Sequence, residues 1–235
     1  MTGKLYAGTS GYSYTEWRGA FYPEKGLPQS QFLEFYASVF STVEINNTFY
    51  RFPAPSLLEG WVERTPAGFT FAVKANQSIT HRARLNDADD LTRDFVERCR
   101  LLGDKLGPIL FQLPPNFKRD DERLANFLDT RPPDIRFAVE FRHASWFDEA
   151  VMAILSNAGV ALCVSEGDKL DTPRIATAGF IYARLRKEEY TDEELADWRR
   201  WIADQVGEGR DAFAYLKHDD EGVSPEYVLR LLQGG

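Results

Sequence analysis

The stretch Phe137-Ala-Val-Glu-Phe-Arg-His143, followed closely by Trp146, decides how the rest of the chain is interpreted. Its apolar and polar side chains alternate with the two-residue period of a β-strand. One face is apolar, whereas the other carries the Glu140 carboxylate and the Arg142 guanidinium. Burying charge is costly unless the charge is paired or used. We therefore expect the end of this strand to belong to a functional site.

The composition is that of a globular protein. The 235 residues, 43% of them apolar, fit a single α/β barrel over 1–235. No apolar run approaches the ~20 residues of a membrane span, and the first residues lack the apolar region of a secretory signal. Cys99 and Cys163 have no metal-type spacing. We expect both to be packing residues, and we expect a reduced, cytoplasmic location.

Charge and histidine content restrict the possible partners. The net charge of −8 argues against broad nucleic-acid binding, which needs clustered Lys and Arg, but it allows a small basic pocket. With three histidines, none spaced i, i+4, a His-rich zinc site is not expected. We predict no metal site and no cofactor. Magnesium held by Glu44, Glu140 or Glu166 is the weaker alternative, because oxygen ligands suffice for it.

The pattern alternates strand and amphipathic helix along the whole chain. Strands are predicted at 4–8, 42–46, 70–75, 109–113, 137–143, 161–165, 180–185 and 212–217. A helix follows each strand except the sixth, where 166–177 contains Pro173 and shows no helical period. Eight such units predict a TIM-type (β/α)8 barrel. The alternative is an open doubly wound sheet, which the lack of a Gly-rich phosphate loop disfavours.

Strand parity selects candidate site residues. In a barrel, alternate side chains point to the lumen and to the helices, and we assign the apolar parity to the helices. On strand eight, Phe213, Tyr215 and Lys217 share a parity, and we place Lys217 inward. The polar side chains left inside, near the carboxyl ends of the strands, are Glu44, Asn46, Lys74, Gln112, Glu140, Arg142, Tyr182, Arg184 and Lys217. Barrel enzymes keep their active sites at that end.

The predicted mouth of the barrel is net positive, because four of these side chains are cations and two are carboxylates. Such a pocket suits a small anion: a phosphate, a carboxylate or one nucleotide. We assign catalysis to Glu44 and Glu140 as general acid or base and to Arg142 as an anion-stabilising group. The alternative is structural: the carboxylates pair with Lys74 or Arg142 and merely fill the barrel.

For the loop residues the sequence allows two interpretations each. Tyr12 and Trp17 lie in an aromatic loop with Tyr14, Phe21 and Tyr22. That loop is either a ligand lid or a core plug at the barrel end. His81 follows strand three, and His143 and Trp146 follow strand five; each is either a substrate contact or a packed loop residue. His218, among acidic neighbours, is expected on the surface.

Six motifs in order resemble the YecE-like family, the bacterial and archaeal domain-of-unknown-function family numbered seventy-two. They are Gly8-Thr-Ser-Gly-Tyr12, Val43-Glu-Ile-Asn-Asn-Thr-Phe-Tyr50, Phe71-Ala-Val-Lys74, Thr80-His81, Leu110-Phe-Gln-Leu-Pro-Pro115, and Val139-Glu-Phe-Arg-His143 with Trp146. The resemblance implies a TIM-type barrel with no established activity. Its motif residues map onto Glu44, Asn46, Thr48, Tyr50, Lys74, His81, Gln112, Glu140, Arg142, His143 and Trp146.

The last third departs from the family pattern. Members often show Arg-Leu-His-Gly after strand seven, where this chain has Arg184-Leu-Arg-Lys187. Paired Asn residues after strand eight are replaced by Lys217-His218, and an Asp near the end of strand six by Ser165-Glu166. These departures imply altered specificity or lost activity.

Four functions compete. The first is an enzyme acting on a small anionic or phosphorylated substrate, with hydrolase or lyase chemistry. The second is a nucleic-acid processing protein, related in fold to barrel repair endonucleases, whose aromatic loop stacks a base. The third is a glycosidase with two glutamates flanking one bond, which four cations fit poorly. The fourth is a non-catalytic ligand sensor. We favour the first.

Overall fold

The computed structural model describes residues 2–167 and 170–233. Its eight strands are β1 Leu5–Thr9, β2 Thr42–Ile45, β3 Thr70–Lys74, β4 Leu106–Gln112, β5 Phe137–Glu140, β6 Ala161–Glu166, β7 Phe180–Leu185 and β8 Asp211–Leu216. They pair in parallel in the order β1-β8-β7-β6-β5-β4-β3-β2. β1 and β2 meet through a bridge between Ser10 and Glu44, which nearly closes the barrel. The predicted fold class is confirmed.

Seven α-helices follow the strands. They are α1 Phe32–Val39, α2 Pro55–Glu63, α3 Asp89–Cys99, α4 Asp121–Asp129, α5 Glu149–Ala158, α6 Asp192–Gly207 and α7 Ser224–Leu232. The described part of the connection after β6 contains no helix, as predicted; 168–169 lie outside the described residues. Among the helices described, none has both the length and the apolar character needed to cross a bilayer.

Helix ends follow the sequence signals in part. The spacing of Thr191 and Glu194 predicts a capping box, and the box is present, with Glu194 accepting from the Thr191 backbone N–H. Gly159 ends α5 in the left-handed conformation at φ 63°. The same spacing from Ser56 to Glu59 predicts an N-cap at Ser56, but this prediction is wrong, because the N-cap of α2 is Ala54, two residues earlier. Ser224 before Pro225 predicts the N-cap of the last helix, which is also wrong: the N-cap is Val223, and the Ser224 hydroxyl donates to the Lys217 carbonyl at 2.6 Å.

Two apolar layers result from the strand alternation. The larger one lies between strands and helices and includes Val43, Phe71 and Val139, the parity assigned to the helices. The smaller one fills the lumen and contains Ala72, Leu110, Ala138, Ala161, Cys163, Phe180, Tyr182, Phe213 and Tyr215. The lumen is therefore a packed plug, and open space is left above it at the carboxyl ends of the strands.

The seam between β1 and β2 is closed by a side chain from α1. The buried Tyr36 hydroxyl accepts from the Thr9 backbone N–H at 2.9 Å and donates to the Thr42 carbonyl at 3.1 Å. Gly8 makes room for this arrangement, because a Cβ there would lie 2.3 Å from the Thr42 oxygen. The hydroxyl thus replaces a missing rung of the backbone ladder.

Tyr36→Phe should lower the free energy of unfolding by about 1–3 kcal/mol, because it leaves the Thr9 N–H and Thr42 carbonyl buried without a partner. Urea denaturation measures the change. Tyr6→Phe is the matched control, since the Tyr6 ring lies stacked on Phe213 with centroids 4.7 Å apart and no hydrogen bond to its hydroxyl is found among the described residues. Equal losses in the two variants would show that Tyr36 does not close the seam.

Candidate functional site

A cavity of about 630 Å³ opens at the carboxyl ends of the strands, within the size range of small-molecule sites. Strand register sets its floor. Gln112 pairs with Glu140 across β4 and β5, and Ser165 pairs with Arg184 across β6 and β7. The lining comprises Ser10, Tyr14, Asn46, Tyr50, Lys74, Gln112, Pro115, Glu140, Phe141, Arg142, Ser165, Gly167, Leu170, Thr172, Arg184, Arg186 and His218.

Arg184 joins the two predicted catalytic carboxylates. Its guanidinium donates to Glu44 Oε1 at 2.8 Å and to Glu140 Oε2 at 2.6 Å. The arginine and both carboxylates are almost entirely buried, with 2%, 0% and 5% of their surface exposed. β2, β5 and β7 are thereby tied together through a single cation.

Glu44 accepts hydrogen bonds from all sides. Oε1 receives the Ser10 hydroxyl at 2.7 Å and the Asn46 amide at 3.0 Å, and Oε2 receives the Tyr182 hydroxyl at 2.7 Å. Burial alone raises the pKa of Glu44, but the Arg184 and Arg186 charges and the hydrogen bonds from Tyr182 and Asn46 lower it by more, to about 2. Glu44 is therefore an enclosed carboxylate that holds Arg184. This placement counts against the predicted proton transfer by Glu44 itself.

Glu140 differs because it reaches the cavity. Gln112 Nε2 lies 2.9 Å from each of its oxygens. Burial raises the Glu140 pKa, but Arg184 and Gln112 lower it by more, so the net shift is downward. Glu140 is thus a carboxylate at neutral pH and faces the cavity as a proton acceptor.

Lys74 ends β3 at the cavity wall. Its Nζ lies 4.3 Å from the centroid of the Phe49 ring. Burial, and then the Arg184 charge, lower the pKa of Lys74 to about 8, although Glu140 and Glu44 act in the opposite direction. At neutral pH, Lys74 therefore exchanges a proton more readily than an ordinary lysine does.

The cavity keeps a surplus of positive charge. Among the residues that the structure describes, Lys74, Arg142, Arg184 and Arg186 line it, and Glu140 is the one carboxylate in the lining. Counting the enclosed Glu44 as well, four cations face two carboxylates, a net charge of about +2 in a protein of net charge −8. Such a local reversal of sign attracts small anions.

The family model described as "Protein of unknown function DUF72" matches residues 6–234. The chain belongs to the DUF72 family. This confirms the resemblance that the six sequence motifs indicated.

Relatives in two bacteria share the designation UPF0759. UPF0759 protein YecE of Escherichia coli K12 is 34% identical over 144 residues, which cover 61% of this chain and 50% of that protein. The chain thus spans about half the length of that curated relative. UPF0759 protein YunF of Bacillus subtilis is 24% identical, over 97% of this chain and 94% of that protein.

Solved structures show the same barrel. A DUF72 family protein from Thermotoga maritima superposes with a TM-score of 0.86 at 27% identity, covering 98% of each chain. D-Psicose 3-epimerase from Clostridium cellulolyticum, in a complex with D-tagatose, has a TM-score of 0.57 at 13% identity, covering 97% of this chain and 92% of that one. That likeness is one of fold alone.

Several residues at DUF72 motif positions lie away from the cavity. Thr48 donates to the Lys74 carbonyl at 2.7 Å and braces the end of β3. The His81 ring packs edge-on against Phe49 and lies next to the Thr80 hydroxyl. His143 caps the short helix Ala144–Trp146. Neither these residues nor Lys217, whose Nζ is 3.7 Å from Glu188, belong to the cavity lining.

Of the predicted aromatic contacts, Tyr50 lines the cavity and is 75% exposed. Tyr12 packs against Tyr36. Trp17 and Trp146 are fully buried and donate to backbone carbonyls, of Asp219 at 2.9 Å and Phe117 at 2.8 Å. The two tryptophans are core residues rather than the predicted substrate contacts.

Sequence reasoning missed Ser10, Arg186 and His218 as cavity residues. Arg186 shares the parity of Arg184, so the alternation that found one predicts the other. Ser10 follows β1 as Asn46 follows β2. His218 was expected on the surface, but its ring stacks on Tyr14 with centroids 3.8 Å apart. Arg186, His218 and Ser165 occupy the three regions where this chain departs from the DUF72 motifs.

The carboxylates suggested for magnesium do not fit a metal, because Glu44 and Glu140 already share the Arg184 cation. Glu166 instead lies 3.7 Å from Lys187. Within 2–167 and 170–233, one other group brings metal-type ligand atoms within 4.8 Å of one another: Glu16, His218 and Asp220. Its two acids are exposed, as surface carboxylates commonly are.

Proposed function

We propose that this protein is an enzyme acting on a small anionic or phosphorylated substrate in the cavity at the mouth of the barrel. The observation that carries the proposal is the surplus of cations there, since Lys74, Arg142 and Arg186 line a space of about 630 Å³. Two carboxylates neutralise Arg184, so within the described part of the lining those three cations are available to an anion. A purely structural charge layer would pair all of its cations.

The carboxylates take different roles in this proposal. Glu140 faces the cavity and serves as the general base, with Gln112 and Arg184 fixing its orientation. Glu44 positions Arg184 from below. Arg142 and Arg186 hold the anionic group and stabilise negative charge that develops on the substrate. Proton abstraction followed by lyase-type or hydrolytic cleavage fits these groups.

The other functions fit the geometry less well. In the aromatic loop Tyr14 lines the cavity, but the rings of Trp17 and Tyr22 are buried and cannot stack on a base. A glycosidase needs two carboxylates that both reach the sugar, whereas Glu44 is enclosed. A ligand sensor would use the same cavity and differ only in the absence of turnover, so it becomes an outcome of the experiment below.

Small phosphorylated or carboxylated molecules should raise the thermal midpoint by about 5–10 °C at ~100-fold their dissociation constant, because such saturation adds about 2.7 kcal/mol. We expect Arg142→Ala to abolish the shift. The measurement is a thermal-shift screen of sugar phosphates, carboxylic acids, nucleotides, short single-stranded DNA and neutral oligosaccharides, followed by NMR of each binder for turnover.

Arg82→Ala is the matched control, because Arg82 is exposed, follows β3 and lies outside the cavity lining. It should keep the full shift. Glu140→Gln should keep much of the shift and lose turnover. A shift with DNA alone would replace the proposal with the nucleic-acid function, and binding without turnover of any binder would favour the sensor. If no anion shifts the midpoint, the charges only hold the barrel together.

A further inference from the structure

We propose that Lys74 is a nucleophile that forms an imine with the carbonyl carbon of an aldehyde or ketone substrate that also carries an anionic group. This inference rests on the proposed function, and it narrows the substrate class to anionic carbonyl compounds and the reaction to imine-based chemistry.

The position of Lys74 suits covalent chemistry. It is the last residue of β3, so its backbone is held by the sheet, with register partner Leu110 on β4. The Thr48 hydroxyl bonds the Lys74 carbonyl at 2.7 Å. The side chain rises along the Phe49 ring into the cavity. A fixed base with an amine at the cavity wall positions the nucleophile before substrate arrives.

The charges around Lys74 favour a reactive amine. Both buried carboxylates of the site are engaged by Arg184, and Lys74 forms no ion pair with any other residue that the structure describes. Burial and the neighbouring Arg184 charge bring the Lys74 pKa to about 8. The Lys74 amine is then neutral in roughly a quarter of the molecules at pH 7.5, whereas an ordinary lysine is neutral in about 0.1% of them. Desolvated lysines near other cations are the usual imine-forming residues.

The step balances with groups present in the cavity. The neutral Lys74 amine adds to the carbonyl carbon and gives a carbinolamine. Loss of the former carbonyl oxygen as water leaves a C=N bond, which is protonated to the iminium ion. The iminium withdraws electrons from the adjacent carbon, so Glu140 can accept a proton from that carbon or from a hydroxyl whose loss of a proton breaks the next C–C bond. Hydrolysis of the imine returns the amine and a carbonyl product.

Arg142 and Arg186 determine which carbonyl compounds fit. Arg142 follows β5, two residues after Glu140, and Arg186 follows β7, two residues after Arg184; both line the cavity. A carboxylate or phosphate held by either guanidinium leaves the carbonyl end of a short molecule free to reach Lys74. Neutral aldehydes lack this anchor and should react poorly.

The test is reductive trapping. The full chain is incubated with pyruvate, glyoxylate, dihydroxyacetone phosphate or pyridoxal 5′-phosphate, reduced with borohydride, and examined by intact mass and peptide mapping. We expect a single adduct on Lys74, heavier than the protein by the mass of the probe less one oxygen atom. Lys74→Arg, which keeps the positive charge, should give none. The trapping rate should rise with pH and level off above about 8.

Lys217→Arg is the matched control, because Lys217 directly follows β8 but lies outside the cavity lining; this variant should give the same adduct as the unmodified protein. Thermal shifts with the same probes separate the two proposals. Binding without any adduct overturns the imine and leaves the proposed function standing. If the probes neither shift the midpoint nor form an adduct, both the imine and the proposed function are overturned. Adducts spread over several lysines, and unchanged in Lys74→Arg, also overturn the inference.

Discussion

Arg184→Met should lower the free energy of unfolding by about 3–5 kcal/mol, the usual effect of leaving a buried charge without its partner. Here two carboxylates, Glu44 and Glu140, lose the same cation. In a chain of this size the thermal midpoint should fall by roughly 6–20 °C. Urea denaturation and calorimetry measure the two quantities.

Arg186→Met is the matched control, because Arg186 lies two residues after Arg184, directly after the end of β7. Burial and the Arg184 charge lower the pKa of Arg186, and the one hydrogen bond of its side chain found among the described residues is a 3.4 Å contact with Ser10. Its loss should change stability by less than about 1 kcal/mol. Equal destabilisation of the two variants would mean that the Arg184 bridge has no special weight.

The free energy of unfolding should change with pH in opposite directions in the parent protein and in Arg184→Met. With Arg184 present, Glu44 has a pKa of about 2, below its ordinary 4.5, so its stabilisation is present above pH 4.5 and is lost as the pH falls toward 2. Without Arg184, burial prevails and raises the pKa of both carboxyls. Acidification from pH 7 to 5 should then recover stability in Arg184→Met, as the buried groups take up protons. A difference from the parent protein that widens on acidification would contradict this.

Trp146→Ala should lower the free energy of unfolding by about 3–5 kcal/mol. The indole is fully buried, stacks on Phe141 with centroids 4.6 Å apart, and donates to the Phe117 carbonyl at 2.8 Å. The alanine variant loses the packing as well as the hydrogen bond. Chemical denaturation gives the change directly.

Trp146→Phe is the control that separates packing from ligand contact. It keeps an aromatic ring beside Phe141 and leaves the Phe117 carbonyl unpaired, which should lower the free energy of unfolding by about 1–3 kcal/mol. Because Trp146 lies outside the cavity lining, any anion that stabilises the parent should give this variant the same midpoint shift. Loss of the shift in a folded Trp146→Phe would restore Trp146 as a ligand contact.

The alternation of side chains predicted the site better than the loops did. Glu140 and Arg184 were selected by strand parity, and both line the cavity. Trp17 was proposed as part of the aromatic loop and His143 as a residue that follows strand five, and neither lines the cavity. A strand determines the direction of each side chain through its two-residue period, whereas a loop residue's depth depends on contacts made after folding, such as Trp17 with the Asp219 carbonyl 202 residues away.

The sequence by itself determined the eight strand–helix units, the missing sixth helix and the two faces of each strand, because these depend on local periodicity and turn chemistry. It also determined that charge of both signs would meet at one end of the barrel. Only the tertiary structure decided which charges pair. Arg184 takes Glu44 and Glu140, which lie 140 and 44 residues away, and Lys74, Arg142 and Arg186 remain available to the cavity. Four cations and two carboxylates allow many pairings, and side-chain reach across the closed barrel selects among them.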